Sequence, residues 1–290
     1  MGGKSSSSLP PQLVDKPWLQ MEWGGRGNDL QFIKDYTPKA DGQQQFRILL
    51  HGPVGAGKSS FINSVISSLE GRISVRAGVC NSNQGTYTKQ YKTYRIQIGN
   101  QGNMSPLVLN DMMGLENVPR RHRRVHVKDV EKAMKGHIKD GYIFNPENSL
   151  SETDNFYNKT PKVNDKVHVL VSVIDASKVH LLPDKVVEKI QDIRDDATDL
   201  GIPHMVILTK IDEACPEIKK DLKNVCRSSL LQKRVLCFSK LVGIPENCIF
   251  PVKNYHSERN VDNDIDALVL NTLRRIIEIG DEHLKNQERI

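Results

Sequence analysis

Short apolar runs alternate with longer amphipathic stretches along most of this chain. The runs Phe46–His51, 167–175 and 204–208 are largely apolar and have turn or polar residues at their ends, so we expect buried strands there. Residues 92–98 alternate apolar and polar side chains, which predicts a half-exposed strand, and 265–284 repeat apolar residues at helical spacing. Strands that alternate with helices predict an α/β fold, a doubly wound, mostly parallel sheet with helices on both faces and a site at the carboxyl ends of the strands.

The same pattern predicts four further elements. Residues 106–111 are expected to form a strand that pairs as a hairpin with the alternating strand, and 248–252 are expected to form the last strand. One helix is predicted from about 184 to 200, where glycine and proline follow, and another from 127 to 139.

The glycine-rich segment 52–59 follows the first predicted strand and matches the pattern G-x-x-x-x-G-K-[ST]. The next ten residues carry apolar side chains at helical spacing, so the motif has the strand-loop-helix context of a phosphate-binding loop. In such a loop the glycines turn backbone N–H groups toward phosphate oxygens, Lys58 reaches the β- and γ-phosphates, and the Ser59 hydroxyl ligates Mg²⁺. The alternative is a simple glycine-rich turn. The residues predicted to bind nucleotide here are Gly52, Pro53, Val54, Gly55, Ala56, Gly57, Lys58, Ser59 and Ser60.

A second motif, D-x-x-G, follows the predicted strand 106–111. Asp111 at the carboxyl end of that strand suits a carboxylate that organises Mg²⁺ together with Ser59. Gly114 would let its backbone N–H approach the γ-phosphate. An aspartate and a glycine three residues apart are also common in turns, so this motif is weak by itself.

A third motif, T-K-x-D, follows the predicted strand 204–208 and contributes Thr209, Lys210 and Asp212. The Asp212 carboxylate can accept hydrogen bonds from N1–H and the exocyclic amino group of guanine, whereas adenine offers an acceptor at N1 and no amino group at C2. The Lys210 stem can lie over the purine face. Taken alone, T-K-x-D is explained equally well as the end of a strand followed by the start of a helix. Three motifs in this order at strand ends predict GTP or GDP with Mg²⁺ as the cofactors.

These motifs look like the first, third and fourth motifs of a P-loop GTPase. From Phe46 to about Leu284 the chain resembles the GTPase-like domain of the interferon-induced protein 44 family, and the segments 47–61, 109–116 and 252–255 carry the resemblance. It implies an interferon-inducible, cytoplasmic protein that acts in antiviral defence. It also places Lys253 and Asn254 where a fifth motif touches the guanine.

The binding motifs are complete, but some residues that small GTPases use for fast GTP hydrolysis are replaced. Leu115 stands where small GTPases carry the glutamine that orients the attacking water, and Val54 replaces a small glycine. A threonine of GTPases that closes over Mg²⁺ corresponds to either Thr86 or Thr88, which are the catalytic candidates. We therefore expect hydrolysis that is slow, or that depends on a protein partner or on self-association.

Composition narrows the choice of partners. The 290 residues are 38% hydrophobic and 26% charged, without an apolar run of membrane-spanning length, and the five cysteines form no C-x-x-C pair, which indicates reduced thiols. An insert at about 115–165 carries the basic run 120–124, and residues 115–140 hold eight Lys/Arg against four Asp/Glu. No aromatic residue lies between Leu115 and Gly141 to stack on bases, so we expect a solvated face or a docking surface for an acidic partner or lipid rather than nucleic acid.

Residues 1–45 are expected to form a flexible tail and docking arm ahead of a GTPase-like domain at 46–290. The first six residues fit M-G-x-x-x-[ST], which predicts N-myristoylation of Gly2 and weak, reversible membrane contact; a disordered Gly/Ser tail explains the same composition. Four large apolar side chains are predicted to pin the arm onto the domain, namely Trp18, Leu19, Met21 and Trp23.

Two functions remain open from the sequence. One is a nucleotide-switched GTPase whose state controls assembly or partner binding. The other is a non-enzymatic antiviral scaffold that binds nucleotide structurally and acts through its basic insert or its arm. The intact Lys58, Ser59 and Asp111 favour the first, and Leu115 favours the second.

Overall fold

The computed structural model describes residues 13–38, 44–78, 90–98, 103–115 and 120–287. The strands in these ranges are β1 (Phe46–His51), β2 (Lys92–Ile98), β3 (Asn103–Asp111), β4 (Val169–Asp175), β5 (His204–Thr209) and β6 (Ile249–Pro251). They form one sheet in the order β2-β3-β1-β4-β5-β6 at the centre of the molecule. The helices are α1 (Arg26–Asp35), α2 (Lys58–Glu70), α3 (Arg120–Met134), α4 (Asp184–Asp199), α5 (Ile211–Ala214), α6 (Pro216–Lys220), α7 (Ser229–Val242) and α8 (Asn263–Gln287).

Four of the five strand pairs are parallel, and β2 pairs antiparallel with β3. The predicted α/β fold and the predicted pairing of these two strands are therefore confirmed. In the parallel register Leu50 lies opposite Asp111 and Asp175 lies opposite Thr209. The carboxyl ends of β1, β3, β4 and β5 therefore meet at one edge of the sheet, where open α/β sheets bind their ligands.

The sheet is buried on both faces by separate layers of helices. Leu49 and Leu170 of the central strands belong to one apolar cluster, which includes side chains from α3, α4 and α7. Ile48 and Leu50 belong to a second cluster, which includes side chains from α2 and α8. Alternate residues of one strand face opposite sides of the sheet, so a strand that is covered on both faces is apolar at most positions. The buried strands β1 and β4 show this pattern.

Both ends of the helix predicted at 127–139 were predicted wrongly. The observed α3 begins at Arg120 and ends at Met134. Gly136 follows with φ of 82°, and a Cβ there would lie 2.8 Å from the carbonyl carbon and oxygen of Asp165, so the backbone turns sharply where the pattern suggested another turn of helix. The described residues 135–162 contain no helix.

Several described segments of the amino-terminal arm contact the domain. Its first described residues pair with the segment before α7, where Val14 N donates to Arg227 O over 2.8 Å and Trp18 N donates to Cys226 O over 2.9 Å. Further along, α1 packs on α8. Partly buried apolar side chains of the arm pack against the first cluster, namely Trp18, Leu19, Met21 and Trp23.

Within the described part of the chain, none of the helices combines the length and the apolar character that a membrane span requires. The thiols of Cys215, Cys226, Cys237 and Cys248 are free, and the first two are buried. Cys80 lies outside the described residues.

Candidate functional site

The glycine-rich loop connects β1 to α2 at the carboxyl edge of the sheet. Gly52 and Gly57 have φ angles of 138° and 95°, in the region that favours glycine. A Cβ at Gly52 would lie 2.1 Å from Val173 O, and one at Gly57 would lie 3.0 Å from Asn254 Nδ2. The glycines therefore serve both the turn and the close approach of neighbouring chain segments.

Lys58 begins α2, and its side chain folds back across the loop. Its Nζ donates hydrogen bonds to Gly52 O over 3.0 Å and to Pro53 O over 3.1 Å. The side chain is buried, and burial lowers the pKa of Lys58 while the Asp111 carboxylate partly opposes that shift. An ammonium held at this point is available to a phosphate that enters the loop.

Ser59 and Asp111 meet although they are 52 positions apart in the sequence. Ser59 Oγ donates to Asp111 Oδ2 over 2.5 Å, which joins the loop to the end of β3. The Asp111 carboxyl is buried, and burial raises its pKa against the opposing effects of Lys58 and the Ser59 hydrogen bond. Its second oxygen, Oδ1, is also buried and has no hydrogen-bond partner within the described residues.

This pair fits a Mg²⁺ ion. A hydroxyl and a carboxylate are hard oxygen ligands of the kind Mg²⁺ prefers, and Mg²⁺ in phosphate sites is usually held by one or two such groups together with waters and substrate phosphates. The orphaned Oδ1 of Asp111 is a polar atom that a ligand would satisfy. Among the described residues, no group of three or more His, Cys, Asp or Glu side chains is arranged so that it could hold a metal ion by itself.

The D-x-x-G segment lies directly against the glycine-rich loop. Leu115 N donates to Gly52 O over 2.9 Å, and Val54 N donates to Leu115 O over 3.2 Å, so the two segments form a short parallel bridge. A Cβ on Gly114 would lie 2.7 to 2.9 Å from atoms of Val54, which explains why this position is glycine. Leu115 is buried in the first apolar cluster.

Thr209 connects the base-recognition motif to the loop. Its Oγ1 lies 2.5 Å from Ala56 O and 3.2 Å from Ile174 O, and its side chain is fully buried. The end of β5 is thereby fixed to the glycine-rich loop and to β4. The T-K-x-D motif and the phosphate-binding motif are thus neighbours in space, as the sequence predicted from their positions at strand ends.

Lys210 has a left-handed backbone with φ of 56°, and its Nζ lies 3.0 Å from Asp175 Oδ2. Asp175 also accepts a hydrogen bond from Ser177 N over 2.9 Å and so caps the short helical segment 176–181. Its second role, holding Lys210, was not foreseen. Asp212 lies half-exposed in α5, and no hydrogen bond or ion pair joins its carboxylate to another described residue.

The segment after β6 closes the site. Asn254 Nδ2 donates to Gly57 O over 3.2 Å, and Asn254 Oδ1 is buried without a partner in the described ranges. The Nζ of Lys253 pairs with Glu258 Oε1 over 2.8 Å, and the hydrogen bonds of Glu258 lower its pKa to about 2 despite burial. The structure therefore brings Asn254 to the glycine-rich loop, while the Lys253 ammonium is engaged beside it.

A buried polar chain beneath the loop was missed by sequence reasoning. Ser172 Oγ lies 2.7 Å from His51 Nε2 and 2.8 Å from His204 Nε2, across three neighbouring strands. Burial and the nearby His204 lower the pKa of His51 well below its usual value. Isolated histidines and serines in strands carry no local signal, and only the register of the sheet brings these three together.

Some of the predicted residues lie outside the described part of the chain, and others lie in helices near the site. Thr86, Thr88 and Gly2 lie outside the described residues, so their proposed roles are untested. Ser60 lies in the first turn of α2, where its carbonyl accepts a hydrogen bond from Ser64 Oγ over 2.8 Å. The basic run begins α3, and Arg124 within it is exposed.

The strand order, the loop after β1 and the two aspartate motifs at the same edge define a P-loop GTPase-like α/β domain. Among curated proteins, the chain is 32% identical to human (Homo sapiens) interferon-induced protein 44-like over 261 residues, which cover 90% of this chain and 57% of that protein. It is 34% identical to mouse (Mus musculus) interferon-induced protein 44 over 260 residues, covering 89% of this chain and 60% of the mouse protein. The chain is similar to the interferon-induced protein 44 family over about 90% of its length and spans somewhat more than half the length of these relatives.

No protein-family model matches the chain. Among solved structures it is similar to a GTP-binding protein from the archaeon Sulfolobus solfataricus in complex with GDP, at 17% identity and a TM-score of 0.41, covering 82% of this chain and 53% of that one. A likeness this low carries no argument about function.

Proposed function

We propose that this chain binds GTP or GDP together with Mg²⁺. In this proposal the glycine-rich loop and Lys58 hold the phosphates, Ser59 and Asp111 hold the ion, and Lys210, Asp212 and the backbone around Asn254 hold the guanine. The ion, when bound, neutralises charge on the β- and γ-phosphates. The protein's own groups supply position, since they already lie together at one edge of the sheet.

The observation that carries the proposal is the Ser59–Asp111 pair. One oxygen of this buried carboxylate bonds to the loop serine, and the other has no partner in the part of the chain that the structure describes, which is costly unless a ligand completes it. The same carboxylate lies close enough to Lys58 to affect its pKa. A hydroxyl, a carboxylate and an ammonium arranged around a turn of glycines form a site for a Mg²⁺-bound polyphosphate.

The test is titration of the purified chain with fluorescent mant-GDP, mant-GTP and mant-ATP, each with Mg²⁺ and with EDTA. We expect guanine nucleotides to bind on the order of 100-fold or more tighter than the adenine nucleotide, because the adenine edge leaves the Asp212 carboxylate unpaired. Chelation should weaken the binding of GTP and GDP. Equal affinity for GTP and ATP would contradict the assignment.

We further propose that turnover is slow or depends on a partner, at about 10⁻⁴ to 10⁻² per second without assistance. The support is that Leu115 is a buried core residue, so the position after Gly114 offers no group to orient water. Single-turnover hydrolysis at several protein concentrations checks this. A rate per molecule that rises with concentration would show that self-association supplies a missing group, and a fast rate independent of concentration would contradict the proposal.

The second candidate function is a nucleotide-binding scaffold in the antiviral response that performs no turnover. The paired backbone of Leu115 favours it, since a D-x-x-G segment bridged to the loop has less freedom to respond to the γ-phosphate. From the similarity to this family we also propose an interferon-inducible, cytoplasmic, antiviral role. Expression in interferon-treated cells and viral titre after deletion of the gene test that role.

A further inference from the structure

Asp266 of α8 is a buried charge that lies outside every predicted motif. Its side chain is 0% exposed, and Arg26 of the amino-terminal arm donates to Asp266 Oδ2 from Nε over 2.7 Å. Its other oxygen, Oδ1, accepts hydrogen bonds from Ser68 Oγ and Tyr255 OH, each over 2.6 Å. One carboxylate therefore joins the arm, the helix that follows the phosphate-binding loop, and the segment after β6.

Tyr255 carries this connection to the candidate nucleotide site. Its hydroxyl accepts from Asp262 N over 2.8 Å while donating to Asp266, and its backbone N donates to Ser64 Oγ of α2 over 2.9 Å. The residue immediately before it is Asn254, which donates to Gly57 O of the loop. An unbroken series of hydrogen bonds and one peptide link thus runs from Arg26 to the phosphate-binding loop.

We propose that Asp266 is a positioning residue of the nucleotide site and that the arm supplies its charge partner through Arg26. A buried carboxylate that loses its partner is strongly unfavourable, so without Arg26 the carboxylate moves toward water. That movement alters the acceptor on which the Tyr255 hydroxyl depends. Docking of the arm and binding of nucleotide are then thermodynamically linked, and the effect is reciprocal.

The same pair of helices offers a matched control. Arg274 of α8 pairs with Asp29 of α1 over 3.0 Å, so it also holds the arm; its hydrogen bonds among the described residues go to Asp29 and Glu278, not to Asp266 or Tyr255. Arg26→Met and Arg274→Met each remove one arginine from the contact between α1 and α8. Only the first leaves the Asp266 carboxylate without its cation.

The experiment measures mant-GDP affinity with Mg²⁺ for the wild-type chain and for both variants, at a temperature where circular dichroism shows all three folded. We expect Arg26→Met to weaken binding on the order of tenfold and Arg274→Met to change it by about twofold or less. The double variant Arg26→Met/Asp266→Asn should recover most of the lost affinity, because the neutral amide needs no cation and retains an oxygen acceptor for Tyr255. Equal weakening by the two arginine variants, or no recovery in the double variant, would overturn the inference.

The reciprocal measurement uses the wild-type chain and needs no variant. If the linkage exists, saturating GDP with Mg²⁺ slows hydrogen exchange of the α1 amides, and unchanged exchange overturns the inference. Because the inference rests on the proposed guanine-nucleotide binding, failure of the folded wild-type chain to bind mant-GDP would overturn both. Binding without coupling would overturn only the role of Asp266.

Discussion

At the scale of single residues, the candidate site depends on a few polar groups whose partners are fixed. Asp111 is held by Ser59 on one oxygen and has a second buried oxygen available. Lys58 is held by two backbone carbonyls of the loop. Asp212 has no such restraint among the described residues and is half-exposed, as expected for a group that meets a ligand rather than the core.

The first prediction concerns Lys58. Lys58→Ala should weaken nucleotide affinity by about 10- to 100-fold, since hydrogen bonds to charged groups contribute about 1.5–3 kcal/mol. Isothermal titration with GDP measures the change. Lys220→Ala is the matched control, because its side chain is 71% exposed on α6. A similar loss in both variants would show that the effect is not specific to the phosphate-binding loop.

The second prediction concerns the choice of base. Asp212→Asn should lower affinity for GDP and raise the relative affinity for the xanthine nucleotide, because the amide offers a donor where the carboxylate offered an acceptor. Competition between xanthosine and guanosine diphosphates against mant-GDP measures the preference. Glu213→Gln, an exposed change at the next position, should leave the preference for guanine intact. An unchanged preference in Asp212→Asn would remove this residue from the site.

At the scale of elements, the D-x-x-G segment behaves as an extension of the sheet. The bridge between Pro53 and Leu115 continues the parallel pairing of β1 with β3 beyond the strand ends. The Leu115 side chain is buried in the first apolar cluster, together with side chains of α3 and α4. The position that carries a catalytic glutamine in small GTPases is therefore part of the hydrophobic core here.

The third prediction follows from that burial. Leu115→Gln should destabilise the fold by about 2–4 kcal/mol, because it buries an amide among apolar side chains, and it should not raise GTP hydrolysis. Leu115→Met is the control and should cost about 1.5 kcal/mol or less. Urea unfolding and single-turnover hydrolysis measure the two effects. A faster, fully stable Leu115→Gln variant would mean that this side chain reaches the nucleotide.

At the scale of the whole molecule, neutral imidazoles are built into the core. Burial lowers the pKa of His126 to about 3 and that of His168 to about 4, and nearby cations add to both shifts. Both side chains are 6% exposed. In the unfolded chain each returns to a value near 6.5, so the unfolded state binds more protons than the folded state between the two values.

The fourth prediction is a loss of stability in mild acid. Stability should be unaffected by these groups well above pH 6.5 and should fall below it, by about 1.4 kcal/mol for each histidine at pH 5.5. Asp196, whose pKa is raised to about 6 by burial and neighbouring carboxylates, opposes this fall in part. Urea unfolding at pH 7.5 and 5.5 measures the difference, and His126→Gln should reduce it, whereas the exposed His256→Gln is the control. Equal stability at both pH values would contradict the buried neutral state.

The sequence by itself determined the alternating α/β pattern and the strand that precedes the glycine-rich loop. It also singled out Lys58, Ser59, Asp111 and Asp212 as candidate site residues. These features are local: the strand, its turn and the next helix occupy residues 46–70, and the period of apolar side chains indicates them directly. The end of α3 was harder to predict from the sequence, because the backbone turns at Gly136 where Asp165, far along the chain, packs against it.

Tertiary structure alone decided the burial of Leu115, the support of Lys210 by Asp175, and the joining of Arg26, Ser68 and Tyr255 at Asp266. Arg26 and Asp266 are 240 positions apart, and the single carboxylate reads locally as one more polar residue near the start of a helix. Which distant groups share a buried charge depends on the strand order and on the packing of α1 against α8. No local periodicity encodes that arrangement, because it arises only when the helix layers close over the sheet.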